Sequence, residues 1–427
     1  MRETTKKKLI LVLIALDFLP FVILSSLPEA NVDSLVSYFA SITGYAAAIL
    51  FLWQIALGSR IVTKHILRLK DQVWARNIHK NIGIYAIVLV LLHPVLILAK
   101  YNQDISWVFF GSLDSKFDQH VAMGRGALYI FLITWLLSAL LRSKIAYRPW
   151  KYIHYLTYPM VLIVMLHPID IGTFYFGSGL IRWYWGLLLV VFGLMMLARV
   201  AQLFTFGQRQ YTLATKKKVS DQTYLYAFEP QTKPISSRPG QYLYLRTGFI
   251  SEEHPFSVVS NDPKTGKISI ATKVFGPYTQ KLTTLSVGDS VYLDGAYGTF
   301  TCEIDNRPTV FIAGGIGITP FVQHILGSKR SDMFLFYCNR TRQNVTFGGA
   351  LKKKLGSRLV HILSEEKVRG TQHGYISADT IEKKLGKDFK NSRYFICGPP
   401  AMMNSSVEIL RSSGVPDSQI HTEEFSF

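Results

Sequence analysis

Runs of about twenty apolar residues recur from the N-terminus to about residue 205 and then stop. Each is long enough to cross a hydrocarbon core of ~30 Å as a helix, so the first half of the chain cannot be an ordinary soluble globule. Six spans are expected, near residues 8–28, 35–57, 79–99, 122–142, 152–172 and 180–204. The first carries Asp17 and Pro20, an interruption that neighbouring helices can satisfy. Beyond residue 205 come short strands, turns and dispersed charge, and 427 residues suit two or three folding units. The expected division is 1–208, 209–305 and 306–427.

The net charge of +19 raises the question of nucleic acid, but the basic residues gather in loops between apolar runs. Arg60, Lys64, Arg68, Lys70 and Arg76 follow the second run; Arg142, Lys144, Arg148 and Lys151 follow the fourth. Loops 28–34 and 168–179 have no Lys or Arg, and loop 100–121 is mixed. By the positive-inside rule, this describes a multi-pass cell-membrane protein with both termini and the soluble half in the cytoplasm. The partner is a lipid bilayer, and no nucleic-acid motif is found. Cys302, Cys338 and Cys397 form no close-spaced pair, as suits a reducing compartment. Lys6, Lys7 and Lys8 before an apolar run resemble a signal peptide, but the run is long for one and reads as an uncleaved span.

Within the spans, histidine draws attention because polar groups there are costly. His79 and His93 lie fourteen apart in the third span, and His154 and His167 thirteen apart in the fifth. At 1.5 Å per residue each pair is separated by ~20 Å along its helix. The two spans run in parallel, so His79 faces His154 at the cytoplasmic level and His93 faces His167 at the outer level. Zinc wants three or four protein ligands, which are not on offer. A haem takes two axial histidines, its porphyrin supplying four further nitrogens, and this reading stands against ordinary bundle-lining histidines. A spacing of thirteen misses the same helix face by about 140°; Pro159 lies between the two and is expected to kink the span. His65 and His120 read as surface residues. Arg125 suits a haem propionate, an anionic acceptor or an interfacial anchor.

The segment 209–304 alternates apolar and polar residues between turns, the pattern of an antiparallel barrel. It contains RPGQYLYLR, HPFSVVS and KVFGPYTQKL. After residue 307 the pattern becomes strand, glycine turn and helix. In PTVFIAGGIGITPFVQHIL an apolar strand precedes Gly315 and Gly317, with Thr319 and Pro320 at a helix start. Such a turn lets backbone N–H groups approach a pyrophosphate. A later strand ends in CGPP, and the whole is an α/β domain.

Together these features resemble the ferric reductase and NADPH oxidase superfamily of transmembrane flavocytochromes, with the layout of its short prokaryotic oxidases. The resemblance implies a membrane α-helical bundle with two b-type haems and a ferredoxin-reductase-like module. That module comprises an FAD-binding β-barrel and an NAD(P)H-binding α/β domain. It implies that His79, His93, His154 and His167 ligate the haems. His254, Pro255, Phe256 and Ser257 would line the flavin, with His254 where soluble relatives carry Arg. Gly276 and Thr279 would hold the FAD pyrophosphate. Gly315, Gly317, Thr319 and Pro320 would receive the NADPH (or NADH) phosphates, with Cys397, Gly398 and Pro399 beside the nicotinamide. A C-terminal aromatic stacks on the flavin in such reductases, implying Phe425, or else Phe427.

Arg340 follows the strand FLFYC, where a guanidinium could bind a ribose 2′-phosphate or belong to a solvated loop. The expected activity is electron transfer from cytosolic NAD(P)H through FAD and two haems to a small-molecule acceptor. The resemblance implies that this acceptor is oxygen, giving superoxide; the alternatives are a ferric chelate or a quinone. A membrane anchor or channel with a degenerate module is the rival from another class. No EF-hand loop is found and no regulatory subunit is evident, so the resemblance implies constitutive activity.

Overall fold

The computed structural model describes residues 3–24, 28–172, 179–205, 207–249, 251–301 and 307–423. It forms two compact units, Met1–Gln202 and Leu203–Phe427.

The first unit is helical: α1 (Glu3–Leu16), α2 (Leu19–Leu24), α3 (Val32–Gly58), α4 (Gln72–Tyr101), α5 (Ser106–Phe109), α6 (Lys116–Trp135), α7 (Tyr147–His154), α8 (Thr157–Leu166) and α9 (Gly179–Leu203). Among the described residues, α3, α4, α6 with its continuation to Leu140, and α9 are long and apolar enough to cross a membrane. The other two expected spans are broken in two. Between α1 and α2 the chain turns at Asp17, whose carboxylate accepts the Trp53 indole N–H at 2.6 Å. Between α7 and α8 it turns at Tyr155 and Leu156. Pro159 has no N–H to give the Tyr155 carbonyl, so the helical ladder is interrupted there. The core gathers Tyr45, Ile49, Phe51, Phe131, Met165 and Trp185. Outward-facing Val88, Leu194 and Leu197 are exposed, an arrangement suited to hydrocarbon.

The second unit holds a closed barrel and a parallel sheet. The barrel comprises β1 (Arg209–Ser220), β2 (Thr223–Pro230), β3 (Tyr242–Arg246), β4 (Glu253–Asn261), β5 (Ile268–Lys273) and β6 (Ser290–Tyr297). Its neighbours run β1-β2-β5-β4-β3-β6. The period of two sends Tyr211, Leu213, Tyr226, Phe228, Leu243, Leu245, Ile268 and Ile270 inward. A short helix, α10 (Pro277–Leu282), follows β5.

The six strands β7 (Thr309–Gly314), β8 (Met333–Asn339), β9 (Leu359–Leu363), β10 (Gln372–His373), β11 (Arg393–Cys397) and β12 (Ile420–Glu423) form the sheet, in the order β10-β9-β8-β7-β11-β12. Every pair in it is parallel. Its strands are buried on both faces, so β7 and β11 read as continuous apolar runs. Strand order reverses at β7, which pairs with β8 on one side and β11 on the other. Ligands of such sheets bind at the carboxyl ends of the strands flanking that reversal.

Candidate functional site

Two pairs of imidazoles meet inside the helical unit. The ring centres of His79 and His154 are 6.1 Å apart, and those of His93 and His167 are 6.4 Å apart. The break between α7 and α8 accounts for the thirteen-residue spacing: His154 ends one helix and His167 caps the next, so they need not share one helical phase.

Each ring is held from behind. Nδ1 of His79 donates to the Gln54 carbonyl at 2.8 Å, and that of His93 to the Ala40 carbonyl at 2.8 Å. Nδ1 of His167 donates to the His120 carbonyl at 2.5 Å. His154 Nδ1 lies 3.2 Å from the Ser138 hydroxyl, which also accepts the Trp150 indole N–H at 3.1 Å. A carbonyl on Nδ1–H fixes the tautomer and leaves the Nε2 lone pair free to bind a metal.

The three acceptor carbonyls share a local device. Gln54, Ala40 and His120 each precede a glycine by four residues: Gly58, Gly44 and Gly124. In a helix the residue four positions on lies directly above, and its side chain would cover the carbonyl. A Cβ on Gly44 would stand 2.8 Å from His93 Cε1, and one on Gly124 2.7 Å from His167 Cε1. On Gly58 it would stand 3.3 Å from His79 Nδ1. Glycine inside a helix costs about 1 kcal/mol relative to alanine, and here the space it leaves is filled by an imidazole.

Two nitrogens at about 2 Å from one metal, with ring centres about 1 Å behind them, put the centres about 6 Å apart. Both observed separations match. Among the described residues no group of three or more His, Cys, Asp or Glu could hold a metal ion. Two facing imidazoles without a third side-chain ligand among the described residues fit a haem, whose porphyrin would supply the remaining nitrogens. The cavity at His93 and His167 is lined by apolar residues, with Arg125 and Lys100 also among its lining residues. Arg125 Nε donates to the Trp107 carbonyl at 2.8 Å, and its guanidinium lies over the Trp107 ring.

In the barrel, β3 pairs with β4 so that Tyr244 faces Pro255 and Tyr242 faces Ser257. The His254 ring stacks on Tyr278 with centres 3.8 Å apart. Tyr278 is pinned by donating to the Leu245 carbonyl at 2.5 Å, and burial pushes its phenol well above the ordinary value. The Ser257 hydroxyl is buried with no hydrogen-bond partner among the described residues, as expected where a bound ring would supply one. Thr279 caps α10, its hydroxyl accepting the Phe275 and Gly276 N–H groups at 2.9 and 3.0 Å. A Cβ at Gly276 would meet open space.

In the sheet, the turn after β7 and the turn after β11 lie against each other. Ala313 and Cys397 are in register. A Cβ on Gly314 would approach Pro399 Cδ to 2.7 Å, and one on Gly398 would approach the Gly314 nitrogen to 2.9 Å. One on Gly317 would meet the Cys397 carbonyl and the Gly398 Cα. The glycines of both turns are thus required for close packing, and Gly315 adds a left-handed φ of +54°. Thr319 and Pro320 open α11 (Thr319–Gly327), with Thr319 donating to the Ile316 carbonyl at 3.0 Å. The Cys397 thiol is fully buried; burial and then Glu423 hold it protonated, far above the usual thiol range. Arg340 is 77% exposed and lies 3.5 Å from Glu365. Phe425 and Phe427 lie outside the described residues.

Three family models match in tandem. Residues 43–165 match "Ferric reductase like transmembrane component", 210–302 "Oxidoreductase FAD-binding domain", and 311–408 "Oxidoreductase NAD-binding domain". The chain has the architecture of the ferric reductase and NADPH oxidase family. It is a membrane oxidoreductase that couples a transmembrane component to FAD- and NAD-binding domains for electron transfer. The similarity reaches NADH-cytochrome b5 reductase 1 of Dictyostelium discoideum, 27% identical over 235 residues, covering 50% of this chain and 81% of that protein. The reductase component of propane 2-monooxygenase from Rhodococcus jostii strain RHA1 is 26% identical over 235 residues, covering 46% of this chain and 61% of that protein. Among solved structures, the FAD/NAD-binding domain of nitric oxide dioxygenase from Vibrio cholerae O1 biovar El Tor is 22% identical at a TM-score of 0.47, covering 51% of this chain and 98% of that one.

The sequence reading missed Tyr278, although it stands between Gly276 and Thr279 in the motif KVFGPYTQKL. An aromatic between Gly276 and Thr279, the two residues that the resemblance assigns to the FAD pyrophosphate, was the signal in the sequence. His120, expected at the surface, in fact touches His167.

Proposed function

We propose that this family member carries electrons from cytosolic NAD(P)H through FAD and two b-type haems to an acceptor on the far side of the membrane, and that the acceptor is oxygen, giving superoxide. The observation that carries the reading is the matched spacing of the two imidazole pairs, 6.1 and 6.4 Å, with Nδ1 occupied from behind in both. Bound flavin and haem supply the hydride and one-electron chemistry. The chain's own residues orient them. Carbonyls of Gln54, Ala40 and His120 aim three rings, Ser138 aims the fourth, and the turns at Gly317 and Gly398, packed against each other at the carboxyl ends of β7 and β11, form the edge where a nucleotide would bind. If His93 and His167 both hold the outer haem, they would leave the acceptor no place on its metal, and one-electron transfer would reach the acceptor at the outer cavity instead. The His79/His154 pair is the inner one, because the basic loops mark its end as cytoplasmic.

A ferric chelate is the second reading. It is favoured by Arg125 and Lys100 in the outer cavity, which suit an anionic acceptor, and by the ferric reductase description of the matching transmembrane component.

Purified full-length protein is expected to show Soret and flavin absorption together, with two haems per chain by pyridine haemochrome. Flavin without haem would overturn the proposal. Cytochrome c reduction that superoxide dismutase abolishes assigns oxygen; reduction of ferric citrate at an undiminished rate without oxygen assigns the chelate.

A further inference from the structure

His120 and Asp170 stand next to the outer pair and belong to neither histidine level. His120 lies one turn into α6, and Asp170 three residues beyond His167, in the turn after α8. The contact between His120 and His167 is reciprocal. The Nδ1–H of His120 donates to the His167 carbonyl at 3.0 Å, while the Nδ1–H of His167 donates to the His120 carbonyl at 2.5 Å. Asp170 Oδ2 closes the arrangement 2.9 Å from the second nitrogen of His120. The His120 side chain is 18% exposed, so the ring is held inside the bundle while Asp170 reaches it from the rim.

Among the described residues, no second imidazole braces the Gln54 or Ala40 carbonyl in this reciprocal way. Both lie on the single continuous helix α3, Ala40 in its first half and Gln54 in its last turn, and the Ala40 carbonyl also accepts the Thr43 hydroxyl at 2.9 Å. His167 differs because it caps α8 at the edge of a turn, where its own backbone is less constrained. The His120 ring ties that backbone to α6, and the same tie keeps the His120 carbonyl against the His167 ring.

We propose that His120, anchored by Asp170, is a positioning residue for the outer redox centre: it clamps the end of α8 to α6 and so fixes the orientation and donor strength of His167. The inference rests on the haem reading above. A carbonyl held tightly on Nδ1–H makes an imidazole a stronger donor to a ferric ion. Loosening it is expected to raise the outer reduction potential and leave the inner one unchanged.

The test is spectroelectrochemical titration of full-length protein in nanodiscs, with haem counted separately. His120→Ala is expected to retain two haems per chain, raise the outer potential and broaden the outer low-spin electron paramagnetic resonance signal. His120→Asn keeps a donor near the Nδ1 position and is expected to return most of the way to wild type, whereas His120→Gln, which reaches toward Asp170 only, is not. An unchanged or lowered outer potential in His120→Ala, or an equal shift at both centres, overturns the proposal. If His120→Ala does not fold, Asp170→Asn carries the same test: a smaller upward shift confined to the outer centre supports the clamp, and wild-type potentials overturn it. Wild-type protein lacking haem would sink the underlying reading instead, a result the haem count distinguishes.

Discussion

The difference between a phosphate-binding arginine and a solvated one rests, at Arg340, on a single weak competitor. Its pairing with Glu365 is exposed on both sides, and such pairs contribute between nothing and about 1 kcal/mol. An arriving 2′-phosphate offers charge-assisted hydrogen bonds of about 1.5–3 kcal/mol, enough to displace the carboxylate. Arg340→Ala is therefore expected to raise the KM for NADPH about tenfold or more, with less than a twofold change for NADH. Equal effects in steady-state assays with both nucleotides would remove the 2′-phosphate role. Cys397 makes a contrasting case. Its placement beside the nicotinamide is implied by the CGPP motif, yet the structure shows a thiol without solvent access. A raised pKa means the neutral form dominates until the pH passes that raised value, so no thiolate is present near neutrality. Burial pushes Cys338 up as well, to about 12. Native protein incubated with iodoacetamide at pH 7.5 is expected to stay unmodified at both positions by mass spectrometry, and to become labelled only on unfolding. Rapid native labelling of Cys397 would show that the turn after β11 opens.

At the scale of elements, the helical unit explains why part of the site could be read from sequence and part could not. Histidine spacing is a property of the chain, so the levels of His79, His93, His154 and His167 were legible, as was the offset of thirteen that needed an irregularity. The location of that irregularity was not. Pro159 implied a kink in the span without fixing its place; the break falls at Tyr155 and Leu156, because the missing N–H frees a carbonyl one turn earlier. The glycines supporting the rings were invisible for another reason: Gly44, Gly58 and Gly124 lie on other helices, and apolar runs are full of glycines without such a duty. Gly126, two residues from Gly124, would accept a Cβ into open space. That contrast gives a controlled experiment. Gly124→Ala drives a methyl group into the His167 ring and is expected to reduce haem content from two per chain to about one, with the inner centre's spectrum retained. Gly44→Ala is expected to do the same through His93. Gly126→Ala is expected to keep both haems and, by helix propensity alone, to stabilise its helix by up to about 1 kcal/mol. Equal haem loss in Gly124→Ala and Gly126→Ala would mean that helix α6 tolerates no change at all, and the ring-support argument would fail.

For the molecule as a whole, the decisive quantity is which side of the bilayer each end faces. Sequence supplies one argument, the concentration of Lys and Arg in loops 60–76 and 142–151. The structure adds an independent one within the helical unit. Glu3 accepts the backbone N–H groups of Lys70 and Asp71 at 2.7 and 3.1 Å, Lys6 donates to the Arg68 carbonyl at 2.6 Å, and Lys7 pairs with Asp71 at 2.6 Å. The start of α1 is therefore bound to the basic loop between α3 and α4, and the two share a face. If that loop is cytoplasmic, so is the N-terminus. Under the proposed topology, in which the two interrupted helices α1–α2 and α7–α8 also cross, an even number of crossings would return the end of α9 to the side of the N-terminus, where NAD(P)H is found. Nicotinamide nucleotides do not cross a bilayer, so access reports orientation directly. Inverted membrane vesicles are expected to oxidise added NADPH at full rate, and sealed right-side-out vesicles only after permeabilisation. Trypsin should remove the soluble unit in the inverted preparation and spare it in the other. Removal of Arg60, Lys64, Arg68 and Lys70 together is expected to weaken this asymmetry and yield a mixed population, since the charge bias sets orientation at insertion. Oxidation of external NADPH by intact right-side-out vesicles would reverse the topology, and with it the assignment of His79 and His154 as the inner pair.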